Sequence, residues 1–113
     1  MTTAERIEML RAHAEAARRR ARDATVEAHH DDAEIARLRG DVLQSGFCRA
    51  LAECAMYQTD ESVEVMRWFY VRVQASRCMN GCLDGVPESD RAEVLAAVEQ
   101  LKREGYVPPG SMP

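Results

Sequence analysis

Apolar residues recur at alternating steps of three and four through the first part of this chain: Ile7, Leu10, Ala14, Ala17, Ala21, Ala24, Ala28, Ile35, Leu38 and Val42. Only Asp31 breaks the series. Such spacing places every member on one stripe of an α-helix and suits a seam between two helices. The residues between them are mostly Ala, Arg and Glu, which favour helix intrinsically. The phase is the same on both sides of His29-His30-Asp31-Asp32, so one helix is predicted to run through that polar stretch. The competing reading is a break there, with Asp31 and Glu34 opening a second helix as a capping box.

No proline precedes Pro87, so nothing before that point is forced out of a helix. Gly46 is read as the end or kink of the long helix. Phe47 to Gln58 is predicted as a second helix, with Phe47, Leu51, Cys54 and Ala55 on one face. Thr59-Asp60-Glu61-Ser62 reads as a turn and cap. The segment from Ser62 to Cys78 is rich in Val, which lends it strand propensity. No second strand exists to pair with it, however, and a helix gathers Val63, Val65, Met66, Phe69, Tyr70 and Val73 into one arc. Asn80-Gly81 and Asp84-Gly85 mark a connection. Ser89 is read as the cap of a last helix ending at Gly105, with Val94, Leu95, Val98 and Leu101 inward. The predicted core is Val65, Phe69, Val73, Leu95, Val98 and Leu101.

The fold class expected is therefore all-α: a long N-terminal coiled-coil helix followed by three shorter helices forming a small helical bundle. Residues 1–45 form the coiled-coil or dimerisation helix, 46–107 the small helical domain and 108–113 a tail. Only 5% of residues are aromatic and 46% are hydrophobic, a balance that fits Ala- and Val-rich helices better than a sandwich of sheets. No apolar run is long enough to span a membrane, and residues 2–11 lack the apolar centre of a signal peptide, so a cytoplasmic location is expected.

Chemistry is sparse. In a chain without a secretory signal, Cys48, Cys54, Cys78 and Cys82 read as reduced thiols or metal ligands before disulfides. Cys78 and Cys82 share a helical face only if a helix crosses Asn80-Gly81, and neither Cys pair has zinc-ribbon spacing. Buried thiols are the favoured reading. Glu27 and His30 match half of a di-iron helix motif whose other half is missing. The three histidines all belong to the long helix, and no nucleophile set, phosphate loop or cofactor motif appears. No enzyme, cofactor or metal is expected.

With a net charge of −4 the chain does not suit non-specific nucleic-acid binding. The arginines from Arg18 to Arg22 lie on several sides of the helix among Glu15, Asp23 and Glu27. The functional expectation rests on length instead. A forty-residue helix is about 60 Å long, whereas helices of twelve to eighteen residues reach roughly 18–27 Å. They are too short to cover the stripe, which calls for a second copy.

The expected function is a non-enzymatic protein-binding module: a helical homodimer acting as adaptor, regulator or inhibitor of another macromolecule. Its size suits an accessory protein of the kind carried by phages and mobile elements. The dimer is expected to be antiparallel, in the register that sets Ile7 against Leu38 and Leu10 against Ile35 of the second copy. Trp68, with Val71 beside it, falls off the apolar arc and is the expected partner anchor, with Arg18 and Arg20 on the outer side of the long helix. One alternative is a DNA-associated regulatory factor using Arg18–Arg22. Another is a Cys-based metal-binding helical bundle. No membrane contact is expected.

Overall fold

A computed structural model describes residues 1–109, and of the predicted tail only Pro108 and Pro109 fall within them. The chain forms a long helix, α1 (Thr3–Leu38), followed by α2 (Val42–Tyr57), α3 (Asp60–Arg77) and α4 (Arg91–Arg103), with no strand among the described residues. A single 3-10 turn, Glu88–Asp90, leads into α4. The molecule measures 69 × 31 × 24 Å, its length set by α1.

Thr2 starts α1 by accepting the Glu5 amide on its side chain, and the helix runs unbroken through His29-His30-Asp31-Asp32. It stops earlier than predicted. Gly40, at φ +76°, takes the left-handed conformation that a glycine adopts without penalty. The Asp41 and Gly40 amides then donate back to the carbonyls of Ala36 and Arg37, closing the helix with the paired bonds of a Schellman motif. Asp41 immediately caps α2 by accepting the Gln44 amide. Two helix-ending devices therefore adjoin at residues 40 and 41, and α1 and α2 form a tight antiparallel hairpin. Gly46, read from sequence as the terminator, lies inside α2.

Its absent side chain has another use. A Cβ at Gly46 would come 2.6 Å from Cζ and 2.8 Å from Cδ1 of Phe69, so this glycine lets α3 approach α2 closely. The second helix buries Leu43, Ser45, Cys48, Ala50 and Ala52 rather than the predicted face of Phe47, Leu51, Cys54 and Ala55, which are half-buried. It is a middle layer, packed on α1 and on α3.

Thr59 and Ser62 cap α3 reciprocally, each side-chain oxygen accepting the other's backbone amide. Helices α3 and α4 run parallel. Arg67, midway along α3, meets Asp90 and Glu93 at the start of α4, while Ser76 near the end of α3 meets the Tyr106 hydroxyl, just past α4, at 3.0 Å. The return crossover, residues 78–90, turns at Gly81 and Gly85 and inserts Cys78 and Val86 into the core. Ser89 makes no capping bond to α4.

Of the predicted core, Val73, Val98 and Leu101 are buried and Phe69 is half-buried against the cluster. Val65 and Leu95 are 46% and 45% exposed, a correction to the sequence reading. Val71 and Ala75 take their place, with 2% and 0% exposure.

The Arg67 guanidinium holds the Asp90 carboxyl below the usual carboxylate range, helped by the Tyr70 hydroxyl and opposed by desolvation. A carboxylate depressed by folding contributes stability above its unfolded pKa, about 3.9, and loses it as pH falls through the folded value. The unmodified chain is therefore expected to melt above Asp90→Asn at pH 7, with the gap closing as pH falls below about 3.9 towards the lower folded value. A gap independent of pH would assign the difference to shape alone.

Candidate functional site

Among the described residues, the rest of the chain covers only the C-terminal third of α1. Ala33 and Ala36 are buried beneath α2, and the Ser45 hydroxyl donates to the Ala33 carbonyl at 2.9 Å. His29 and Val26, one and two turns earlier on the same side, are half-buried. These four residues form their own three-four series, and small Ala side chains let the two helix axes come close.

At 100° per residue that series lies almost opposite the stripe of Ala28, Ile35 and Leu38. The stripe is left open. Ile7, Leu10, Ile35 and Leu38 are 45%, 53%, 46% and 71% exposed, and Ala14, Ala17, Ala21, Ala24 and Ala28 are exposed with them. Val42 does not belong to it. It is the first residue of α2, 75% exposed and beyond the Gly40 turn, so the stripe ends at Leu38.

Charge divides α1 in two. Residues 3–22 carry six Arg against three Glu, whereas residues 23–38 carry five acidic side chains against Arg37 alone. At the acidic end a cleft opens between α1 and α2, lined by Asp32, Ile35, Arg39, Asp41 and Cys48 and edged by Pro109. Arg37 makes a two-pronged hydrogen bond to Glu34 and holds that carboxyl below its ordinary range. Arg18, Arg19 and Arg22 share a shallow groove with Glu15, while Arg20 is exposed on another side of the helix. These arginines form no single basic face.

Of the predicted anchor pair, Trp68 is 48% exposed and Val71 is buried. Val71 is thus removed from the partner surface. Trp68 lies beneath the Arg72 guanidinium, 3.8 Å from the ring centroid, and edge-on to Phe69 at 4.9 Å. Its apolar neighbour is Val65, one turn earlier, and the two share a small hollow with Glu64. The three-residue spacing of Val65 and Trp68 is the signal in the sequence, and placing Val65 in the core conceals it.

All four cysteines are free. Burial pushes the thiols of Cys48 and Cys78 above their ordinary pKa, the opposite of what a reactive thiolate needs. The Cys54 thiol donates to the Ser62 carbonyl at 3.0 Å. The chain leaves α3 at Arg77, so Cys78 and exposed Cys82 share no helical face. No three His, Cys, Asp or Glu side chains converge to hold a metal ion among the described residues. Nor, among them, is any helix long and apolar enough to cross a membrane.

No family model matches the chain, and no curated protein or solved structure is similar to it.

Proposed function

We propose that this chain is a non-enzymatic protein-binding module that works as a homodimer joined along α1, an adaptor, regulator or inhibitor of another macromolecule. The observation that carries the reading is the open stripe from Ile7 to Leu38, an apolar series on a helix whose broad cover among the described residues, α2, lies on the opposite side. A second copy offers the same length, spacing and side-chain sizes. Trp68 with Val65 is the proposed contact for the further partner, since a half-exposed Trp stacked under an Arg is a rigid apolar anchor with a polar rim.

Light scattering coupled to gel filtration tests the assembly. The expected mass is twice 12.7 kDa for the unmodified chain. Leu10→Glu combined with Ile35→Glu is expected to return it to 12.7 kDa without loss of the thermal transition, because both positions are exposed in the single chain. A mass of 12.7 kDa for the unmodified chain at every concentration would remove the homodimer.

A further inference from the structure

Resting on that self-pairing, we infer that each α1–α2 hairpin is completed by the basic N-terminal arm of a second copy lying antiparallel to it. The two-fold axis falls between Arg22 and Asp23. Charge carries the argument first. Antiparallel pairing lays the arginine-rich residues 3–22 of each copy along the acidic residues 23–38 of the other, twice per dimer. A parallel, in-register pair would instead stack six Arg on six and five acids on five.

Packing selects the register. Ile7 meets Leu38 of the second copy, Leu10 meets Ile35, Ala17 meets Ala28 and Ala21 meets Ala24. Large side chains meet at both ends, where the bundles lie, and Ala meets Ala across the centre, so the axes close to the short end of the usual 8–10 Å. The folded chain leaves room for this, because α2 occupies the far side of α1 and Ile35 and Leu38 are exposed.

The Gly40 turn trims the pairing that a continuous helix would have allowed. Asp41 is committed to capping α2, and Val42 has left the stripe. What remains beside the stripe is Arg20 by Glu27 of the second copy and Arg11 by Asp32, while the Glu34 carboxylate near His13 is already engaged by Arg37 of its own chain. Arg11 thereby reaches the rim of the α1–α2 cleft, one residue from Asp31, the single polar interruption of the stripe. An arginine there answers the charge that Asp31 would otherwise bring unpaired into the seam.

The test exchanges charges at exposed positions. In the antiparallel register, Arg20→Glu and Glu27→Arg each turn two attractive pairs per dimer into two repulsive ones. Each variant alone is expected to self-associate about three- to thirty-fold more weakly than the unmodified chain. An equimolar mixture is expected to recover the lost affinity as a heterodimer, in which every exchanged pair is attractive. In a parallel pair Arg20 would face Thr25 and Glu27 would face Asp32. Glu27→Arg would then tighten self-association while Arg20→Glu did little, overturning the antiparallel arrangement but leaving the homodimer intact. If the unmodified chain does not self-associate, the homodimer and this arrangement fall together.

Discussion

Val71→Asp is expected to abolish the cooperative thermal transition of this protein. Val71 is 2% exposed within the cluster that includes Val94, Ala97 and Val98. An aspartate there either brings an unpaired charge into apolar surroundings or is forced to stay protonated, and both cost several kcal/mol. A domain of this size has only about 5–15 kcal/mol in total. Were Val71 on the surface, as a wheel drawn for α3 alone suggests, the same change would move stability by roughly 0.5 kcal/mol or less. Circular dichroism melts separate the two outcomes, and an unchanged midpoint would mean that α3 is rotated from the orientation described.

Gly46→Ala should destabilise the protein by about 1–3 kcal/mol, the usual cost of overpacking. The sign is the informative part. In an unencumbered helix interior, replacing Gly by Ala gains about 0.5–1 kcal/mol. Here the new methyl meets the Phe69 ring, with Cζ 2.6 Å from where the Cβ would stand, so the half-buried ring or the two helices must shift. Phe69→Leu in the same chain should relieve part of the loss, so the two changes together cost less than their sum. Simple additivity would show that α2 and α3 do not meet at this pair.

These two positions also mark where the sequence was legible and where it was not. The continuity of α1 through His29-His30-Asp31-Asp32 follows from a repeat whose phase is the same on both sides of that stretch. The helical state of α3 followed from the lack of any strand to pair with it. Its orientation did not follow, because a wheel presumes one buried face. The second half of α3 is buried on two sides, Val71 and Ala75 on one and Val73 roughly opposite, so no single arc describes it. Val65 and Leu95 were misassigned by the same presumption. The end of α1 was misplaced because two glycines competed for the role. Gly40 has Asp41 after it, ready to cap the next helix, whereas Gly46 is flanked by residues that continue one. The parallel course of α3 and α4 has no local signature, since it depends on contacts such as Arg67–Asp90 across the crossover. As for the candidate site, the stripe from Ile7 to Leu38 was readable residue by residue. That α2 covers the opposite side of the helix was not, because the series from Val26 to Ala36 is built largely of alanine and histidine.

The projecting helix has a hydrodynamic consequence. A compact chain of 113 residues would have a radius of gyration of about 13 Å, and this one has 19.4 Å. A compact protein would need about 300 residues to match it. On a column calibrated with globular standards, a single copy therefore runs ahead of its mass and passes for an oligomer. Elution volume is blind to the distinction between one elongated chain and two paired ones, and only measurements that weigh the particle separate them.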